Sequence, residues 1–404
     1  MDDKRRKLVT TIGVVAVFSM GQSIGAMNGA IAKISETYAL SSTTTLYIST
    51  IAALSCMISA LLLGSVVGKK IGYRTASLLC ALTLVVAGML PAFLPDSLVL
   101  ILILRVLFGM GVGGILTVEN PLVAYLYPLE ERAAILGAGT FAGFGAGMIM
   151  QLWGGVLAET HWNWVFLTHG VMAVALVVVF FCLPEPPRTL SVQPEPQAPA
   201  DENKQEKFHL EPRAVLMALL AGVVTLISCP VLMGASFLSA VLSDSTTVAG
   251  LVSMCFSFGS LLGALMFSKL YKKTKTKSVS LFLLLGGLGL GASALSGNIP
   301  LLCVSVTLAG LGFSMVIPAA MMIVGMVSNA ASVAFASSLI VAFMHTSIFL
   351  MSAYMELVAL FTGDRLYSPI YIGVVIYLTL TLLTFIINPF PRVPSEGSEG
   401  KFSA

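Results

Sequence analysis

The sequence predicts an all-α membrane protein whose twelve transmembrane helices form two pseudo-symmetric six-helix bundles. Three observations lead there. The 404 residues are 57% hydrophobic and 10% charged, with a mean hydropathy of +0.95, which is outside the range of water-soluble domains. The apolar runs are about 20 residues or longer, the length a helix needs to cross a hydrocarbon layer of about 30 Å, whereas barrel strands alternate over segments of about ten. Finally, the runs fall six on each side of a proline-rich polar segment.

In chain order the predicted spans are 8–32, 44–67, 76–94, 98–124, 133–158 and 163–183, then 213–241, 247–270, 278–297, 300–327, 332–359 and 367–388. The start, Lys4-Arg5-Arg6-Lys7 before an apolar run, has the outline of a secretory signal. The run is longer than a signal core and further spans follow it, so it reads as the first span. Residues 184–212 hold Pro184, Pro186, Pro187, Pro194, Pro196 and Pro199 and the polar run Asp201 to Lys207. Such a segment has too little apolar surface to fold and reads as a cytoplasmic linker. The division is then 1–183 for the first bundle, 184–212 for the linker, 213–388 for the second bundle and 389–404 for a disordered cytoplasmic tail.

Charge placement sets the orientation. Of the 22 lysines and arginines, all but Lys33, Arg365 and the span-embedded Arg105 fall on one side. The positive-inside rule makes that side cytoplasmic, with both termini there and the chain in the cell membrane. The halves also echo one another about 200 residues apart: Gly109 and Gly111 match Gly310 and Gly312, and the basic loop Lys69 to Arg74 matches Lys269 to Lys277. A parallel internal repeat explains both.

The sequence excludes several kinds of chemistry. Cys56, Cys80, Cys182, Cys229, Cys255 and Cys303 all lie in apolar runs without CxxC spacing, so they read as packing residues and not as a disulfide or metal framework. No nucleophile with its base and no phosphate loop is present; the run Gly286 to Gly291 lacks a Walker lysine. An enzyme, a cofactor, a metal and a nucleic-acid partner are not expected.

Three ionisable and three neutral polar residues stand out within the spans. Arg105 lies about eight residues into the fourth span, and a guanidinium near the bilayer centre costs roughly 2.5 to 3.5 kcal/mol on insertion scales. It either lines a watery cavity, where it neutralises a substrate carboxylate or tunes a nearby acid, or it is structural, bonding backbone carbonyls or snorkelling outward. Gly109 and Gly113 share its helical face and allow close approach of a neighbour. Glu119 is fourteen residues on, about 21 Å along the axis, beside Asn120 and Pro121. It reads as a proton relay or as an acid at the interface. His345, mid-membrane in the eleventh span, is a candidate proton carrier or a polar contact between helices. Gln22, Asn28 and Gln151 are neutral groups suited to hydrogen-bonding a substrate or a neighbouring helix. Gly139, Gly143 and Gly147 form a close-packing seam that Gln151 continues.

The motifs resemble the major facilitator superfamily. Ser65-Val-Val-Gly-Lys69-Lys70-Ile-Gly72-Tyr-Arg74 is similar to the family's first motif, with Lys70, Gly72 and Arg74 matching. Ser65 replaces its glycine, and Lys69 stands where the family has the aspartate that latches the halves together. Arg105 with Gly109, Gly111 and Gly113 is similar to its fourth-span pattern, and Pro128 to Arg132 to its turn before the fifth. Met150-Gln151-Leu-Trp-Gly154-Gly155 resembles the antiporter pattern without the proline, and Trp162-Asn-Trp164-Val-Phe166 the aromatic start of the sixth span. The resemblance implies a secondary transporter in which two bundles rock about a midplane site lined by spans 1, 4, 5, 7, 10 and 11. A small organic solute, protons as coupling ion and a functional monomer in the lipid bilayer follow as expectations. A gradient-driven uniporter for a small organic anion and a non-transporting receptor or scaffold are the alternatives.

Overall fold

A computed structural model describes residues 3–64, 66–94, 97–186, 209–274, 277–328 and 332–388. Ser65 and most of the expected linker and tail lie outside the described residues. The described chain is helical, with the single isolated bridge Val67 to Ile71 in a turn.

The first half comprises α1 (Asp3–Met20), a 3-10 segment (Ser23–Ala30) leading into α2 (Ile31–Thr37), α3 (Ser42–Gly64), α4 (Tyr73–Met89), α5 (Leu98–Leu126), α6 (Leu129–Thr160), a second 3-10 segment (Trp162–His169) and α7 (Gly170–Cys182). The second comprises α8 (Pro212–Leu232), α9 (Ala235–Ala240), α10 (Thr246–Thr274), α11 (Ser278–Ala294), α12 (Ile299–Val327), α13 (Val333–Thr362) and α14 (Tyr367–Ile387). Among the described residues ten helices are long and apolar enough to cross a membrane, and an eleventh is made if α1 and the segment Ser23–Thr37, bent by 44°, count as one. The remaining predicted span, α11, is a shorter apolar helix, ending at Ala294 instead of reaching residue 297.

The helix ends follow from local chemistry. Asn298 accepts from the Leu301 N–H at 2.9 Å to start α12, with proline in its first turn, where a missing N–H costs nothing. At the C-terminal end of α5, Arg132 donates to the carbonyls of Ala124 and Tyr127 at 2.8 and 3.1 Å, the favourable end of the helix dipole for a cation. Gly363, at φ +75°, stops α13 in the left-handed conformation.

Two interruptions were not expected from hydropathy. The first span leaves the α-helix after Met20, where Gly21, Gly25 and Gly29 weaken it. The seventh breaks at Met233 and Gly234, just beyond Pro230, whose ring and missing N–H disrupt the preceding turn. By the offset of about 200 residues the start of α2 at Ile31 corresponds to the start of α9 at Ala235, whereas the break after Met20 falls opposite continuous helix in α8. Interrupted spans at matching places in membrane transporters point to the working site.

Each half packs its own core, one around Phe108, Leu84 and Val112, the other around Phe256, Phe282 and Val316. The repeat is visible in the glycines. Cβ atoms at Gly109 and Gly111 would strike backbone of α3 and α4. Cβ atoms at Gly310 and Gly312 would strike α10 and α11, the equivalent neighbours. Gly113 similarly lies against the Cys56 carbonyl.

Candidate functional site

Because successive spans alternate in direction, the first residues of α1, the α3–α4 turn and the last residues of α14 share one end of the molecule, called here the terminal end. The opposite end is where the halves close on each other. Near the middle, Asn28 donates to the Leu232 carbonyl at 3.1 Å and Ser257 to Gln151 Oε1 at 2.9 Å. Farther out, Thr246 donates to the Gly155 carbonyl at 2.7 Å, and Glu159 accepts from the Ser245 hydroxyl and, at 3.0 Å, from the Thr247 N–H. Glu356, in the matching place on the second half, accepts from Thr43 at 2.8 Å. A carboxylate ending α6 thus grips the start of α10, and its repeat counterpart near the end of α13 grips the start of α3.

Three glycines let the backbones meet. A Cβ on Gly29 would lie 3.1 Å from Gly250 Cα and 3.3 Å from Gly155 Cα. Around them Ile31, Leu46, Cys229, Met233, Met351 and Met355, drawn from both halves, form one apolar cluster. At the surface Arg365 donates twice to Glu356, at 2.8 and 3.0 Å, and that hydrogen bond holds the Arg365 guanidinium above its ordinary pKa. Burial pushes the neighbouring Asp364 carboxyl up, but the N–H groups of Leu366 and Ser368 outweigh it and leave the group below its ordinary value.

Toward the terminal end the halves part around a cavity of about 190 Å³, lined by Cys56, Met57, Leu116 and Thr117 from the first half and by Ser338 and His345 from the second, among others. His345 Nδ1 lies 3.0 Å from the Val341 carbonyl and therefore donates to it, which leaves Nε2 as the acceptor of the neutral ring. Thr346 closes the inner edge by donating to Met57 Sδ at 3.3 Å.

Arg105 is 1% exposed. Its Nε donates to the Ile48 carbonyl at 3.1 Å and Nη2 to the Ile24 carbonyl, in the 3-10 segment, at 3.3 Å. The guanidinium carbon is 4.5 Å from the Phe108 ring centre, a favourable cation–π placement. Nη1 is buried without a partner. Of the two positions open to this arginine, the structure has the carbonyl-bonded one. Phe108 in turn meets His169 edge to face, with centroids 4.8 Å apart. His169 is fully buried against Gly88 and donates Nδ1–H to the Phe166 carbonyl at 3.0 Å. Hydropathy had passed over His169, although a lone histidine in an apolar run opposite a glycine was signal enough.

Glu119 is half-buried. Its Oε1 is buried, without a hydrogen-bond partner, against Gly21 at the break of the first span. Asn120, by contrast, is exposed. Gln22 is exposed and its Cβ lies beside Gly147, while Gly139 and Gly143 receive Phe18, so the glycine seam of α6 houses the first span. Among the described residues, the hydrogen bonds of the loop carrying Lys69, Lys70, Gly72 and Arg74 go to its own half. Arg74 donates its N–H to Glu185 at 3.1 Å and Nη2 to the Phe180 carbonyl at 2.8 Å, both in the first half, with Gly72 making room for Glu185. Lys69 and Lys70 are exposed.

The sequence matches the profile of the Major Facilitator Superfamily over residues 13–243 and 224–403. The chain belongs to that family. It is a membrane transporter and not an enzyme. Among solved members of the superfamily, a D-xylose–proton symporter superposes with a TM-score of 0.72 at 16% identity, covering 95% of this chain and 97% of that one. A nucleoside transporter variant gives 0.72 at 12%, covering 95% and 99%. These likenesses establish the shared superfamily fold. In sequence, an MFS-type efflux pump from Pseudozyma antarctica is 27% identical over 154 residues, 37% of this chain and 26% of the pump. An uncharacterised MFS-type transporter from Schizosaccharomyces pombe is 32% identical over 94 residues, 22% and 15% of the two chains. The matched part thus spans about a quarter or less of these relatives.

Proposed function

We propose that the protein is a proton-coupled secondary transporter that moves a small organic solute by alternating access, with the structure representing the state open toward the cytoplasm. The observation that carries this reading is the asymmetry between the two ends: hydrogen bonds, the three-glycine contact and an apolar cluster join the halves from the middle to the far end, and the cavity lies between α3, α5 and α13 on the terminal side. In this reading the chain is a monomer that crosses the cell membrane twelve times, counting α11 and the bent first span, so both termini share one side, and the lysines and arginines gathered there support the cytoplasmic one. Residues 1–183 and 213–388 are the moving bodies and 184–212 the linker between them. A likeness to a proton symporter and to an efflux pump supports coupled movement of a solute.

In this reading His345 and Thr117 meet the solute, and Gln22 and Asn120 lie along its way. Asn28 and Gln151 make and break the closure, Arg105 pins the 3-10 segment to α5, and the loop from Lys69 to Arg74 forms inter-half contacts only when the terminal end shuts. A solute shifts the balance of states only as far as it binds one better than the other. The unpaired Arg105 Nη1 favours, as second reading, uniport of a small organic anion. The test is uptake of lactate, D-xylose and ethidium into proteoliposomes with and without a pH gradient. Accumulation of one probe that requires the gradient is expected. Movement without any response to the gradient supports uniport, and binding without movement overturns transport.

A further inference from the structure

Glu119 is half-buried, and the fold encloses its Oε1 with nothing to balance it. Its Oε1 has no hydrogen-bond partner and it forms no ion pair among the described residues. A Cβ built on Gly21 would come within 2.6 Å of that oxygen and 3.1 Å of Leu116 Cδ2, so the absent side chain of Gly21 is what makes the seat. From α1 the acid therefore faces backbone, from its own helix Leu116, and from α3 the thiol of Cys56, the titratable group within electrostatic reach. The nearest embedded cation along α5, Arg105, is about 21 Å away by helical rise and is engaged by two carbonyls. A carboxylate with one oxygen shut away from water and left without a partner is disfavoured. A carboxylic acid in the same seat is disfavoured far less.

The position also couples to the solute path. Leu116, one turn before Glu119, and Cys56 both line the cavity. Gly21 follows the last α-helical residue of α1, at the point where the first span bends by 44°. We propose that Glu119 is the binding site of the coupling proton, occupied in this conformation and emptied when, within the moving first half, the first span shifts at its 44° bend and opens its contact with α5 at Gly21. On release the carboxyl O–H bond breaks, the proton passes to water as hydronium, and the carboxylate left behind is hydrated in the opened contact. The inference rests on the proposed proton-coupled reading and assigns its proton to this residue instead of to His345.

The experiment uses the full-length protein in lipid, wild type, E119Q, E119D and H345Q. Infrared difference spectra between alkaline and acidic buffer report the carboxylic C=O stretch and need no solute. The buried-acid band is expected in wild type and H345Q, absent in E119Q and displaced in E119D. Its persistence in E119Q, or its absence from wild type, overturns the assignment. With lactate, D-xylose and ethidium as probes, the ratio of accumulation with and without a pH gradient should fall in E119Q from at least tenfold to one. An unchanged ratio in E119Q overturns the assignment. A wild type that ignores the gradient while showing the Glu119 band removes proton coupling but leaves the proton site standing.

Discussion

Replacing Gly250 with alanine places one methyl group where the two halves touch. Its Cβ would lie 2.5 Å from the Gln151 carbonyl oxygen, 3.1 Å from Gly155 Cα and 3.2 Å from Gly155 N, all of them backbone on the opposite half. Backbone on two packed helices has no rotamer with which to yield, so the contact must open. Overpacking of this size costs roughly 1 to 3 kcal/mol, and the cost falls only on the state in which the far end is shut. Since about 1.4 kcal/mol is a factor of ten, the ratio of open to shut far ends should rise by about 5- to 150-fold. Pulsed electron resonance between spin labels on Thr44 and Val241, exposed residues on opposite halves at that end, reads the ratio as a longer distance. A Cβ at Gly145 meets nothing within 4 Å, which makes G145A the control on α6. An unchanged distance in G250A, or an equal change in G145A, would refute the reasoning.

Three further outcomes follow from the same geometry. E356Q weakens the Glu356 contacts to Thr43 and Arg365, so the same label pair should show a larger open fraction; E159Q should act alike through Ser245 and Thr247, and no shift in either contradicts the paired closure. R105A removes two charged hydrogen bonds and leaves the carbonyls of Ile24 and Ile48 bare, a loss of roughly 3 kcal/mol that should lower the melting temperature in detergent, whereas an unchanged melting point would place the arginine outside the framework. Asp364 has a depressed pKa in the folded protein, so its contribution to the α13–α14 turn is complete above the unfolded carboxylate pKa of about 4 and is lost as pH falls through the folded value; the protection of the amides of residues 366–368, each rate taken relative to its intrinsic rate at that pH, should fall with acid in the wild type and stay constant in D364N, and wild-type protection that is insensitive to acid would contradict it.

Sequence periodicity was enough for the helices, because burial of backbone in lipid leaves a long apolar run few alternatives to helix. It was enough as well for the glycine faces: Gly109 and Gly113 meet α3, and Gly139, Gly143 and Gly147 receive the first span. The departures came where tertiary contacts override hydropathy. Gly21 and Pro230 are visible in the chain, but whether a span bends there depends on the carbonyls finding partners, as Ile24 finds Arg105. Depth along the helix gave no hint that α1 would enclose one oxygen of Glu119 at Gly21, because it says nothing of which neighbour packs there. The pairings of Glu159 with Ser245 and of Glu356 with Thr43 join residues 86 and 313 positions apart, beyond any local pattern.

The most direct test of alternating access is to tie the far end shut. Thr43 and Glu356, hydrogen-bonded across the halves at 2.8 Å, are each replaced by cysteine in a chain whose six native cysteines are alanine, joined with a short bis-methanethiosulfonate reagent, which loses sulfinate as each disulfide forms and is cleaved by a reducing thiol, and assayed for flux in proteoliposomes. Flux should stop on joining and return on cleavage. Flux that continues with the link intact would contradict the account.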